Sequence, residues 1–196
     1  MSSSAIHGAN EVPIEILRIN KQFAGAQTTV DRIDPRTGYA TPIYVLHTDD
    51  KTIAVLYANP SSQVSPNQAF GTAKRHSFSS KIDVVFRGVP LKMKGNMASS
   101  GHKFEYRGMS YSWTKSVITR STSTLHLKDS RGTLLVTWKK HPDGRFSSSE
   151  TGPTFEVYVP PQSIDIDMVV VTGLASIHYW TRRTDTLDLL EAIFGA

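Results

Sequence analysis

Two kinds of residue in this sequence could do chemistry: histidines paired with tyrosines, and closely spaced lysines. There are seven histidines, yet none falls in an HExxH, Gly-x-Ser-x-Gly, Walker A or EF-hand pattern. With no cysteine, thiol nucleophiles, disulfides and cysteine-held metals are excluded, and no metal or other cofactor is expected. Tyr106, Tyr111, His102 and His126 remain as acid–base candidates for a metal-independent enzyme of the specialised-metabolism type. His126 lies on the polar side of an alternating run and His141 precedes a Pro-Asp-Gly turn, so both read more simply as surface residues. His178 sits in an apolar run and reads as a core histidine with one satisfied hydrogen bond. Asp165 and Asp167 are two apart, which on a helix sends them to different faces. Capping accounts for them better than paired acid–base work.

The lysines offer a different chemistry. Residues 71–149 carry fifteen Lys/Arg against four acids, within a chain whose net charge is only +5. A region this basic attracts phospholipid headgroups, nucleic acid or an acidic protein, although a lysine-rich solvated sheet face has the same composition. In PLKMKG (90–95), Lys92 and Lys94 share one face and Leu91 and Met93 the other. Lys103, Arg107, Lys139 and Lys140 lie on neighbouring strand-like runs and complete the candidate cation set. Tyr106, Tyr111, Trp113 and Trp138 are interleaved with these cations, but on inward-facing positions. Specific nucleic-acid binding, which needs exposed aromatics, is therefore not expected.

Short strand-like runs position these residues. IEILRIN (14–20), PIYVLHT (42–48), TIAVLYA (52–58), KIDVVFRG (81–88), PLKMKG (90–95), KFEYRG (103–108), MSYSW (109–113), STLHLKD (123–129), GTLLVTWKK (132–140) and TFEVYVP (154–160) are rich in β-formers and bounded by turn residues. Turns at Asp49-Asp50, Arg87-Gly88, Arg107-Gly108, Asp129–Gly132 and Pro142–Gly144 suit hairpins. The stretches 59–71 and 97–102 read as surface loops. Ten or so antiparallel strands in a single domain call for a closed barrel or a sandwich, so that edges are not left open.

MVVVTGLASIHYW (168–180) has no formal charge. It falls short of the roughly 20 apolar residues a bilayer span requires. Its Val169–Val171 trio followed by Thr172-Gly173 could form a strand and turn. One helix over about 164–182 fits the charges better: Ser163 is available as cap, Asp165 and Asp167 lie at the positive end, and Arg182-Arg183 at the negative end. Apolar all round, such a helix must be enclosed, and a closed barrel encloses it. Gly173, Ala175 and Ser176 would allow close approach on one side, with Leu174, Ile177 and Tyr179 filling the others.

Phe104–Trp113, Leu125–Gly132 and Asp167–Ala175 give the chain a resemblance, over about residues 40–182, to the tubby C-terminal-like superfamily. This group includes phospholipid scramblases and the plant LURP-one-related proteins, and the sequence is most like fungal proteins of that kind. The resemblance implies an all-β domain with a central helix: a closed antiparallel barrel of about twelve strands threaded by a hydrophobic C-terminal helix. The expected layout is a flexible N-terminus (1–13), the barrel domain (14–183) and a short amphipathic tail (184–196). Leu187, Leu190 and Phe194 of that tail could pack on the barrel or on a protein partner. Tubby proteins bind phosphoinositides through cations on neighbouring strands, including a pair one residue apart, and Lys92 and Lys94 have that spacing. The resemblance therefore implies a non-enzymatic module for anionic phospholipid headgroups. Scramblase-like activity is less supported, because the palmitoylated cysteines or apolar tail that usually tie such proteins to membranes are missing. Without a secretory signal, an acylation signal or a transmembrane segment, a cytoplasmic protein, peripheral at membranes or nuclear, is expected.

Overall fold

A computed structural model of the chain describes residues 12–20, 28–49, 51–58, 68–76, 79–96, 101–115, 124–140 and 152–183. Residues 1–11, the 184–196 tail, the 97–100 segment and His141 lie outside the described residues. Twelve strands run in chain order: β1 Glu15–Asn20, β2 Thr28–Ile33, β3 Ala40–Thr48, β4 Thr52–Tyr57, β5 Gly71–Arg75, β6 Lys81–Phe86, β7 Val89–Asn96, β8 Gly101–Tyr106, β9 Met109–Lys115, β10 Thr124–Asp129, β11 Leu134–Lys139 and β12 Thr154–Val157. Each pairs antiparallel with its sequence neighbours. Pairing of β1 with β12, Glu15 opposite Val157 and Arg18 opposite Thr154, closes the barrel.

Strand β2 and strand β5 are absent from the sequence reading, for physical reasons. In β2, TTVDRI, alternation fails at a bulge between Val30 and Asp31. Asp31 is buried there and accepts hydrogen bonds from Thr29 Oγ1 (2.7 Å) and Asn20 Nδ2 (3.1 Å). In β5, GTAKR, the inward positions are Gly71 and Ala73, because the helix passes too close for anything larger. A Cβ on Gly71 would lie 2.2 Å from a methyl of Val171.

The helix, α1 Ile166–Arg183, spans 18 residues, or about 27 Å, and is buried continuously from Asp167 to Tyr179. It starts two residues later than 164, and Ser163 sits exposed in the preceding turn. Asp165 takes the capping position instead, its Oδ1 accepting from Met168 N (3.4 Å). Trp113, Trp138, Phe155, Met168 and Leu174 are among the fully buried side chains packed together in the interior. Trp113 Nε1 donates to Thr172 Oγ1 (3.0 Å), and that hydroxyl donates to Met168 O (2.8 Å), so these buried polar groups are satisfied. Among the described residues no helix is long and apolar enough to cross a membrane.

The alternating antiparallel path gives the barrel two distinct ends. The turns after β2, β4, β6, β8 and β10 and the segment after β12 share the end where α1 enters. The turns after β3, β5 and β7 lie at the other.

Candidate ligand-binding surface

The outer wall of β6, β7 and β8 brings together three of the expected cations. In β7, Leu91 and Met93 are buried and Lys92 and Lys94 exposed. Register then sets the neighbours: Lys81 lies opposite Lys94, and Lys94 opposite Lys103. Three exposed ammonium groups therefore stand on adjacent strands, about 5 Å apart at their Cβ atoms. The same row continues through Ser112 to Lys128. Because barrel strands tilt, it begins at the far end of β6 and arrives at the helix-entry end on β10. Among the described residues no ion pair links Lys81, Lys92, Lys94 or Lys103 to a carboxylate; two acids share the wall, Asp83, which stands opposite Lys92 and is held by His76 Nε2 at 2.7 Å, and Glu105, exposed on β8 two residues from Lys103. Directly opposed like charges weaken a sheet, so packing alone gives no reason for this row.

Beside it lies a half-open groove of about 710 Å³ lined by His76, Ser79, Lys81, Asp83, Lys92 and Lys94, with Ile82 and Met93 at its base. Next to Lys94, Gly95 N donates to Ser80 O (3.0 Å). A Cβ there would fall 2.4 Å from the Ser80 side chain, so only glycine lets the β5–β6 turn fold against β7. Lys81 was not among the expected cations; its role depends on strand register, which spacing within one strand does not reveal.

The remaining expected cations lie elsewhere. Lys139 Nζ pairs with Glu156 (3.1 Å) on the β11–β12 side, and Lys140 follows it, half-buried. Arg107 stands at the helix-entry rim, 4.0 Å from Asp165.

At that rim the structure corrects the expectation for Asp165 and Asp167. The two carboxylates converge, because Asp165 precedes the helix and only Asp167 is within it. Arg87 reaches both, Nη1 to Asp165 Oδ2 (3.0 Å) and Nη2 to Asp167 Oδ2. Tyr106 Oη donates to Asp165 (2.8 Å), and Tyr44 and Tyr57 donate to Asp167. Burial by itself would raise the Asp167 pKa, but the two hydroxyls and the guanidinium outweigh it and hold the carboxyl below its usual value. Burial first, and then the bond to a carboxylate, pushes Tyr44, Tyr57 and Tyr106 upward. The three hydroxyls therefore stay protonated and serve as donors to the carboxylates, not as bases. Arg87 and Arg107 occupy equivalent Arg-Gly turns with φ of 49° and 51°, a left-handed conformation that arginine adopts at a cost. The repeat of those turns was the visible signal for this cluster; Tyr44 and Tyr57 gave none.

The four acid–base candidates do not converge. Tyr106 is occupied with Asp165. Tyr111 is buried and stacked on Phe104 at 5.5 Å, and burial raises its pKa. His102 is no loop residue: it lies on β8, wholly buried against Tyr179 and Trp180, and neither ring nitrogen has a hydrogen-bond partner. Burial pushes its pKa down to about 4. His126 is on the outside of β10, half-buried, with Nδ1 3.1 Å from Thr137 Oγ1; burial, Lys128 and Lys139 lower its pKa. Among the described residues no three His, Asp or Glu side chains gather as metal ligands. The chain matches no family model, no curated protein and no solved structure.

Proposed function

We propose that this chain is a non-enzymatic binding module of the tubby-like kind, taking anionic phospholipid headgroups, phosphoinositides foremost, on the outer wall of β6–β8. The observation that supports it is the row Lys81–Lys94–Lys103, with Lys92 beside it and a groove at its edge. A sheet fixes the backbone positions from which these lysines reach out, so a headgroup with several phosphates meets several cations without ordering a loop first. The mutual repulsion of the lysines is relieved when the anion arrives. On this reading the protein is cytoplasmic and reversibly peripheral at membranes.

Sedimentation with vesicles containing phosphatidylserine and a phosphoinositide tests it. Binding should fall steeply with salt, since attraction decays over about 8 Å at physiological ionic strength. Lys92→Glu with Lys94→Glu should abolish it without lowering the melting temperature. Vesicle binding equal to wild type in that variant, or no wild-type binding at low salt, rejects the reading and leaves an enzyme or a protein-binding module in its place.

A further inference from the structure

The exposed apolar side chains of this barrel are not scattered. Among the described residues, every large apolar side chain with substantial exposure lies at the helix-entry end. Val12 and Ile14 lead into β1, Tyr39 ends the β2–β3 turn and Tyr57 ends β4. Val85 and Val89 flank the β6–β7 turn, and Met109 follows the β8–β9 turn. Val89 is 64% exposed and Met109 52%. At the far end no such side chain is found among the described residues. Isolated surface apolar residues need no explanation, but their collection around one rim does.

Arginines are interleaved with them. The turns after β2, β6, β8 and β10 carry Arg36, Arg87, Arg107 and Arg131, one each. Of the acids nearby, Glu105 is exposed on β8, and the others are turned to local tasks. Asp34 and Asp129 accept backbone N–H groups of their own turns, and Asp165 and Asp167 are held by Arg87 and the tyrosines. Arg87 is spent on Asp165 and Asp167, and Arg107 and Arg131 each stand near one carboxylate, 4.0 Å from Asp165 and 3.5 Å from Asp129, yet remain largely exposed; the rim thus presents apolar side chains and tyrosine rings beside the exposed guanidinium groups of Arg36, Arg107 and Arg131. That pattern matches the boundary between headgroups and acyl chains, where apolar tips enter, aromatic rings lie level with the headgroups and arginines reach phosphate. The lysine row slopes across the wall from the far end of β6 to this same rim. A membrane touching the rim would therefore meet Lys128, the half-buried last member of that row, while Lys81 and Lys94 stand toward the far end.

We infer that the helix-entry rim is a membrane-insertion face, with Val89 and Met109 at the tips of the two Arg-Gly hairpins entering the interface of an anionic bilayer. This deepens the headgroup reading and rests on it: the lysines supply attraction, and the rim supplies depth and orientation. A protein interface would also bury an apolar rim. Exposed arginines on three separate turns, those after β2, β8 and β10, favour a surface of repeated phosphates over a single shaped partner.

The chain has no cysteine, so single substitutions Val89→Cys, Met109→Cys and, at the opposite end, Lys51→Cys each accept one environment-sensitive fluorophore without background. With vesicles of phosphatidylcholine, phosphatidylserine and a phosphoinositide, labels at 89 and 109 should shift to the blue and be quenched by lipids carrying a shallow nitroxide. The label at 51 should do neither, and soluble inositol hexakisphosphate should shift none of them. Val89→Ser with Met109→Ser should weaken vesicle binding about tenfold while retaining wild-type melting and inositol hexakisphosphate binding. Vesicle-bound protein with unshifted labels at 89 and 109 overturns the insertion and leaves the headgroup reading standing. Shifted labels in a protein indifferent to Lys92→Glu/Lys94→Glu overturn the lysine site and keep the insertion. A blue shift without lipid, growing with protein concentration alongside a rise in mass by light scattering, makes the rim a contact between protein copies and overturns the proposal.

Discussion

Replacing Arg87 and Arg107 one at a time with asparagine applies the same change to two equivalent turns whose arginines do different work. Asparagine tolerates the left-handed conformation, so each substitution recovers about 1 kcal/mol of backbone strain. Arg87 is also the cation shared by two carboxylates, whose side chains are only 12% exposed. Breaking a fully buried pair costs about 3–5 kcal/mol. The Arg87 side chain is 42% exposed, and screening by water brings the loss to about 2 kcal/mol. Its place over the Phe86 ring, 4.9 Å from the centroid, adds about 0.5 kcal/mol. The net expectation for Arg87→Asn is a destabilisation of about 1.5 kcal/mol. Arg107 is 67% exposed and 4.0 Å from Asp165, so its charge is worth at most about 0.5 kcal/mol, and its place over the Tyr106 ring, 5.1 Å from the centroid, matches the Arg87 contact at about 0.5 kcal/mol. Arg107→Asn should be neutral or slightly stabilising. Urea unfolding followed by tryptophan fluorescence measures both. The pH dependence has a definite sign. Asp167 is held below its unfolded pKa, so its contribution is complete above that value and lost as pH falls through the folded one. The Arg87→Asn deficit should therefore be full at neutral pH and shrink below about pH 4. Equal changes in the two variants, or a deficit that grows on acidification, would refute the assignment of Arg87 as the counter-charge.

Three further outcomes follow from single contacts. A Cβ at Gly173 would sit 2.6 Å from Phe155 and 3.0 Å from Trp113. Gly173→Ala should therefore cost up to about 2 kcal/mol despite its better helix propensity, and Gly173→Asp should leave the protein unfolded by circular dichroism. Lys94→Glu places a carboxylate between Lys81 and Lys103, so stability in urea should rise by up to about 1 kcal/mol while vesicle binding is lost; a fall in stability contradicts the opposed-lysine register. His102, with its pKa pushed down to about 4 by burial, must stay neutral in the fold, so its contribution is complete above pH 6.5 and lost as pH falls toward 4. Wild type should lose roughly 3 kcal/mol more than His102→Phe across that window, and parallel stability profiles would count against the buried neutral ring.

The sequence showed ten of the strands through period-two alternation and the helix through an uncharged run bounded by opposite charges, because both signals are local; alternation alone left barrel and sandwich open. It failed where the interior dictated residue choice. In β5 the helix leaves space only for Gly71 and Ala73, and in β2 a bulge and a buried aspartate interrupt the pattern. Lys92 and Lys94 could be paired by spacing within one strand. Lys81 and Lys103 join them only through register between strands, and register is fixed by turns and core packing that no single run contains. The rim cluster was hidden for the same reason: Tyr44, Tyr57, Arg87 and Asp167 come from four separate elements and meet only after the barrel closes.

Placing the enclosed helix after β12 imposes an order of events on synthesis. The ribosome delivers all twelve strands before the segment that fills them, so the apolar lining has no native partner until residues 166–183 emerge. Closure between β1 and β12 joins the first and last strands, a pairing of maximal sequence separation, and such contacts form slowly. For that interval the nascent chain carries an open sheet edge and an unfilled interior, the condition in which chaperones are most needed and aggregation competes best. Loss of the last thirty residues would thus remove the core itself, leaving a wall with nothing to enclose.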